Sequence, residues 1–280
     1  MGRSRTPGTW IALAFVLAVG LGGECRFSFS SKTSDRRRRE PLPPPSPIVV
    51  PPGGAAVALP DGVRIAISDP GAGTAAIVVR GTGLPTGVVA RFERPGPLAV
   101  HGDGAVLVGH AGGVSRLDPD AGVALALPFP PRPVTAIAVG GSRVGVLFAD
   151  GSLHFAPSSP PGAEGLGFAL ALAGDAEGNW FVAGEDGGVL SLDPGGIVRV
   201  LGFLPGARPV LAAREGILLA LVPDGGLHRF DVESPRFDSI RPAAYVNGFA
   251  WGPGGRSLLA WRGGGPVLRL DPATGACSSP

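Results

Sequence analysis

A short pattern recurs along this chain at nearly constant spacing. Leu117-Asp118-Pro119, Phe155-Ala156-Pro157, Leu192-Asp193-Pro194, Phe230-Asp231-Val232 and Leu270-Asp271-Pro272 follow one another at intervals of 38, 37, 38 and 40 residues. Such a period marks a supersecondary unit that cannot bury its apolar face alone and must stack on copies of itself. Just before each copy lies a Gly-rich turn: Ala111-Gly112-Gly113, Asp150-Gly151, Asp186-Gly187-Gly188, Asp224-Gly225-Gly226 and Gly263-Gly264-Gly265. Asp-Gly and Gly-Gly between alternating apolar runs are hairpin turns, because glycine tolerates the positive φ they need.

Each unit resolves further into four short alternating runs. They fall at 134–139, 143–149 and 152–156 with a weaker run near Gly165 in one unit, and at 168–173, 179–184, 189–193 and 197–203 in the next. An earlier unit has runs at 55–59, 63–68, 74–80 and 88–93, and its Asp61-Gly62 matches Asp103-Gly104 one unit later. The six units span 55–94, 96–131, 132–166, 168–205, 208–241 and 246–280. The expected fold is therefore all-β: a β-propeller of about six four-stranded blades over residues 47–280. Only residues 276–280 remain for a fourth strand in the last unit, while Ile48-Val49-Val50 has no other place. This N-terminal strand is expected to complete the last blade and close the ring, leaving no bare edge there.

The repeat resembles those of known propellers. Asp175-Ala176-Glu177-Gly178-Asn179-Trp180-Phe181, followed by Gly187-Gly188-Val189-Leu190-Ser191-Leu192-Asp193-Pro194, is similar to the repeat of streptogramin-lyase-like and two-component-regulator propellers. Asp271-Pro272-Ala273-Thr274-Gly275 resembles the turn of quinoprotein-type repeats. The resemblance covers about 230 residues and implies the fold of the β-propeller superfamily; it carries no activity with it.

Ahead of the repeats, Arg3 and Arg5 precede an apolar run at residues 10–23. Fourteen helical residues span about 21 Å, short of a hydrocarbon core of about 30 Å. With small residues at its end, the run reads as a signal peptide over 1–22, cleaved after Gly20 or Gly22. The basic residues that follow it, Arg26, Lys32 and Arg36 to Arg39, would also suit a retained membrane anchor. Cys25 lacks the small residue before it that lipidation needs, since Glu24 stands there. Residues 23–46 are rich in Ser, Arg and Pro and read as an extended linker. The membrane is expected to be met only through this N-terminal segment. Cys25 and Cys277 stand near the two ends of the mature chain, where a propeller's ends meet, so a disulfide between them is geometrically open in an oxidising compartment.

Charge excludes one class of partner. The chain carries 24 Lys and Arg against 22 Asp and Glu. Eight of the basic and three of the acidic residues precede position 47, leaving 16 basic and 19 acidic in the body. A body near −3 lacks the basic patch that neutralises phosphates, so no nucleic acid is expected as partner.

The residues that suggest chemistry have structural readings beside them. Asp118, Asp193, Asp231 and Asp271 sit where a carboxylate accepts backbone N–H groups two residues on and fixes a turn. His154 and His228 recur mid-strand in equivalent strands but make no metal spacing, and His101 and His110 add none. First strands line a propeller's channel, and here they are apolar; His101, Asp175, Arg214, Glu215 and Asn247 lie in or beside them and would have to converge for catalysis. There is no phosphate loop opening a helix and no Gly-x-Ser-x-Gly elbow, so neither cofactor nor metal site is expected. Above background stand Arg94-Pro95, Arg132-Pro133, Arg208-Pro209 and Arg241-Pro242, all in the loops that join one blade to the next. Proline biases the preceding Arg towards an extended backbone. The four side chains are then expected to rim one face, which also carries Asp150, Glu185, Asp186 and Asp224; they either form surface ion pairs there or grip a carboxylate or phosphate of a protein or small anionic ligand.

The function expected from these residues is an exported, non-enzymatic scaffold located in the periplasm, cell envelope or outside the cell. One alternative is a metal-dependent lyase- or lactonase-like enzyme with its site at the central channel; the other is a structural module of an envelope assembly. N-terminal sequencing of the mature protein should start between residues 21 and 26, and a cytoplasmic protein with Met1 or Gly2 intact would refute export.

Overall fold

The computed structural model describes residues 47–80, 82–204, 208–223, 226–233, 237–240, 242, 246–252 and 258–278. Regular structure in them is almost entirely β, in six antiparallel sheets. Blade 1 holds β2 (Ala56–Ala58), β3 (Arg64–Asp69), β4 (Thr74–Val79) and β5 (Pro85–Arg91); blade 2 holds β6 (Leu98–Val100), β7 (Val106–His110), β8 (Gly113–Leu117) and β9 (Ala124–Ala126). Blade 3 holds β10 (Val134–Gly140), β11 (Arg143–Phe148) and β12 (Leu153–Ala156). Blade 4 holds β13 (Ala169–Gly174), β14 (Trp180–Gly184), β15 (Gly188–Leu192) and β16 (Val198–Phe203); blade 5 holds β17 (Val210–Arg214), β18 (Ile217–Leu221), β19 (Leu227–Asp231) and β20 (Phe237–Ile240). Blade 6 is built on β21 (Gly248–Trp251), β22 (Leu258–Trp261) and β23 (Gly265–Leu270). The strand runs read from the sequence agree with these to within a few residues. The first strands β2, β6, β10, β13, β17 and β21 touch in cyclic order, and β21 returns to β2.

Two outer strands depart from expectation. In blade 3 the run near Gly165 forms no strand. Residues 157–167 hold Pro157, Pro160 and Pro161 with Gly162, Gly165 and Gly167, and proline supplies no N–H to a ladder. The chain instead makes a 3-10 turn at Ala163–Leu166 whose Leu166 is buried between blades 3 and 4. In blade 6 the C-terminus does contribute a strand: β24 (Cys277–Ser278) pairs with Leu270 and Arg269 of β23. The turn before it is clamped by Asp271, whose Oδ1 accepts the Ala273 N–H at 2.8 Å. β1 (Val49–Val50) lies along the other half of the same edge, Val49 opposite Pro266 and Val50 opposite Gly265. β1 and β24 thus share one outer edge. Cys277 is half-buried with its Sγ 3.8 Å from the Gly275 carbonyl, and Cys25 lies outside the described residues.

The core lies between the blades. Six apolar clusters occupy the six interfaces between neighbouring blades, each made of facing sheets. At the first-to-last interface, Ile48, Val50, Ile65 and Val78 pack on Leu259, Trp261 and Val267. Trp180 shows how close the fit is: it is fully buried on β14 and reaches back to blade 3. A Cβ on Gly145 would lie 2.5 Å, and one on Gly140 2.7 Å, from its ring, so only glycine fits there. Phe155 meets the same ring edge-on at 4.8 Å.

Trp180→Ala should cost about 3–5 kcal/mol, because the blades cannot collapse into the space left behind. Deleting residues 47–51 should lower the melting temperature sharply, since it removes buried Ile48 and Val50, worth about 1.5–3 kcal/mol each, and bares an edge. Deleting residues 26–45 should leave it unchanged; equal melting temperatures for the two deletions would exclude a closing role for β1.

Candidate functional site at the mouth of the axial channel

Strand direction sorts the loops onto two faces. Inter-blade connections lie with the turns between second and third strands: Ala111 N–H donates to the Glu93 carbonyl at 2.8 Å, and Leu204 N–H to Gly187 at 2.8 Å. First hairpin turns lie with the turns between third and fourth strands on the opposite face, where Arg64 of blade 1 bridges to Asp120 of blade 2.

On the connecting face the channel opens into a cavity of about 180 Å3. All six blades line it, through residues such as Ala56, Leu98, Ile137, Leu172, Leu211 and Phe249. Among the described residues its one hydroxyl is that of Thr135, which already donates to the Leu147 carbonyl at 3.1 Å. These residues open the first strands, which are apolar because each is walled by two neighbours. Beside the mouth, Arg208, Val210, Leu221, Val222, Pro223 and Asn247 line a second hollow of about 220 Å3. Asn247 is held there, its Oδ1 accepting the Gly263 N–H at 3.0 Å. The mouth therefore offers an apolar socket with one guanidinium and one amide beside it.

The groups considered for catalysis are divided between the two faces. His101, Asp175, Arg214 and Glu215 sit at the first hairpin turns on the opposite face, and Asn247 sits at the mouth. Each has a local task. His101 Nδ1 lies 3.0 Å from Asp103 Oδ1, and Arg214 pairs with Glu215 at 3.0 Å. Asp175 is buried and clamps its turn, accepting the N–H of Asn179 at 2.9 Å and its side-chain amide at 2.8 Å. It also accepts the Gly216 N–H of blade 5 at 3.4 Å, while its own carbonyl accepts Gly141 N–H of blade 3. The Asp that marks the family-like motif is thus a three-blade staple.

The turn aspartates behave as the sequence suggests. Asp118 Oδ1 accepts the N–H groups of Asp120 and Ala121, Asp231 that of Glu233, and Asp193 that of Ile197, four residues on. Backbone donors from Ala121 and Asp120 hold Asp118 below the usual carboxylate range, and the Ala273 N–H does the same for Asp271. Asp103 is held lower still by Ala105 N–H and the Arg116 guanidinium. His154, on β12, meets Phe148 edge-on at 5.3 Å; His228 is buried on β19. Among the described residues no three His, Cys, Asp or Glu side chains are grouped to hold a metal ion.

The Arg-Pro pairs differ from the expected set. Arg94, Arg132 and Arg208 are exposed on the connecting face. Arg94 and Arg208 are not extended: their φ angles are 47° and 60°, in the left-handed region. The proline's steric preference is local, and the tight reversal into the next first strand overrides it at a cost of about 1–3 kcal/mol each. Arg132 is not in that region and pairs with Asp150 at 2.8 Å. The three are therefore not held alike, and only Arg208 lines a hollow beside the channel. Arg241 lies outside the described residues. The mouth lining itself was within reach of the sequence, as six apolar first strands; its hollow beside Arg208 was not.

No family model matches this chain, and no curated protein does. Solved structures do match. A streptogramin B lyase is 15% identical, with a TM-score of 0.51 over 79% of this chain and 80% of that one. A catalytically inactive virginiamycin B lyase from Staphylococcus aureus with quinupristin is 11% identical, with a TM-score of 0.50 over 76% of this chain and 78% of that one. At such identities the likeness is one of fold, and the fold is a six-bladed β-propeller.

His110 stacks on Phe92 at 5.3 Å, its Nδ1 accepts the Gly112 N–H at 3.2 Å, and its Nε2 lies 3.0 Å from Ser115 Oγ. Accepting at Nδ1 requires the neutral ring with its proton on Nε2. Burial lowers its pKa from 6.5, with the Glu93 charge opposing. The folded state thus binds this proton less readily than the unfolded chain. Its stabilising contribution is complete above about pH 6.5 and is lost as the pH falls through the lowered pKa. His110→Gln should accordingly flatten the change in melting temperature between about pH 7.5 and 5 relative to wild type.

Proposed function

We propose that this protein is an exported, non-enzymatic binding module that takes an apolar anchor of a partner protein into the mouth of its axial channel. The carrying observation is the cavity of about 180 Å3 walled by all six blades. Drug-sized ligands occupy roughly 300–1,000 Å3, so the socket suits one aromatic or branched side chain. Desolvated anchors of that kind dominate the energetics of protein interfaces. Arg208 and Asn247 beside the mouth supply polar contacts at its rim, and exposed Arg94 and Arg132 lie on the same face. An acidic flank on the partner's anchor would be favoured there. The apolar lining gives no general acid or base, so a lyase-like reading has the fold likeness alone in its favour. Export rests on the Arg3/Arg5 and apolar-run pattern of the N-terminus.

Site-specific photo-cross-linking in the exporting cell tests this. A photoreactive residue at Val210, on the rim, should give a discrete protein adduct, whereas one at exposed Val63, on the opposite face, should not. Combined Arg94→Gln, Arg132→Gln and Arg208→Gln substitution should lower the adduct yield without lowering the melting temperature, and added salt should lower the wild-type yield. No adduct from Val210, or equal adducts from both positions, would overturn the proposal.

A further inference from the structure

Blade 3 lacks the outer strand that the other blades use to cover their successor. Elsewhere that strand, or the chain just after it, packs on the next blade. Val88 and Phe92 do so for blade 2, Leu127 and Phe129 for blade 3, Leu201 for blade 5 and Ile240 for blade 6. At the interface of blades 3 and 4 the 3-10 turn inserts Ala163 and Leu166 and leaves the outer part of blade 4 uncovered. Large apolar side chains are exposed there: Phe168 (55%), Val198 (36%), Val200 (64%) and Phe203 (66%). They do not lie on a flat surface. Leu166, Phe168, Leu190, Val200 and Phe203 line a groove of about 410 Å3 that runs up to Glu185 and Asp186 in the turn between β14 and β15. No Lys or Arg lines it. On the blade 3 side, no strand among the described residues pairs with the outer edge of β12.

We infer that this groove is a docking site for an extended segment of a partner protein, apolar at alternate positions and basic at one end. Alternate side chains of an extended segment point the same way, so one row would cover Phe168, Val200 and Phe203. A Lys or Arg at its end would meet Glu185 and Asp186, and the bare edge of β12 offers backbone donors and acceptors for strand addition. Lone acidic charges at the rim select against acidic segments. This site is separate from the channel mouth and does not depend on it.

The test uses the full chain and a fluorescein-labelled synthetic peptide, Lys-Arg-Val-Thr-Phe-Thr-Val-Ser, followed by fluorescence anisotropy. Controls are the same peptide with Glu-Glu at its start and one with proline at both threonines, which cannot pair as a strand. The basic peptide should bind, and the two controls should bind at least about tenfold more weakly. Val200→Ser with Phe203→Ser, both at exposed positions, should weaken binding by about tenfold or more while preserving the melting temperature. Glu185→Lys with Asp186→Lys should reverse the preference between basic and acidic peptides. Arg208→Gln should change nothing, which separates this site from the mouth. Absence of binding at about 1 mM peptide, or binding unaltered by either double variant, would overturn the inference. So would self-association of the wild-type chain that Val200→Ser with Phe203→Ser abolishes, since the groove would then belong to a second copy.

Discussion

Apolar burial between blade faces carries this fold. No single blade has a core of its own: every strand of a four-stranded sheet is one layer thick, and its apolar side chains find partners only on the next sheet. The six interfaces accordingly hold the buried Leu, Val, Ile, Phe and Trp side chains, and each blade is needed by two others. Removing about 1.5–3 kcal/mol with any one buried aliphatic side chain weakens two blades at once. Ring closure follows from the same requirement, because an open end would bare a whole face of Ile65, Val78, Leu259 and Trp261.

Polar residues in this scheme mostly terminate strands. Ser68, fully buried, accepts the Ala55 N–H at 2.8 Å and donates to the Gly96 carbonyl at 2.6 Å, tying blade 1 to the connection that leaves it. Asp175 does the equivalent on the opposite face for three blades. Buried polar groups with their bonds made fix a register that apolar packing alone would leave free to slide. The turn carboxylates are thereby engaged in holding backbone, while the channel mouth is lined mainly by apolar side chains.

Deviation from the repeat is as informative as the repeat. Blade 3 gives up its outer strand to a Pro/Gly segment, and the neighbour it leaves uncovered exposes Phe168, Val200 and Phe203. Blade 6 divides one outer edge between β1 and β24, each pairing through two residues.

Blade number, the inner three strands of each blade and the roles of the turn aspartates were legible in the sequence, because period, alternation and Asp/Gly turn chemistry act over a few residues and need no distant partner. The apolar character of the channel was legible for the same reason. Other features depended on contacts across the ring. Whether Cys277 and Ser278 form a strand depends on β23 offering an edge, which their own two residues cannot encode. Arg94 and Arg208 take positive φ against the preference of their own Arg-Pro bonds, because the connection must turn into the next first strand. Which of the Arg residues meets an acid, which lines a hollow, and that Asp175 reaches Gly216 of the following blade were settled only when the ring brought distant turns together, since burial and electrostatics act through space and the sequence specifies only what lies along the chain.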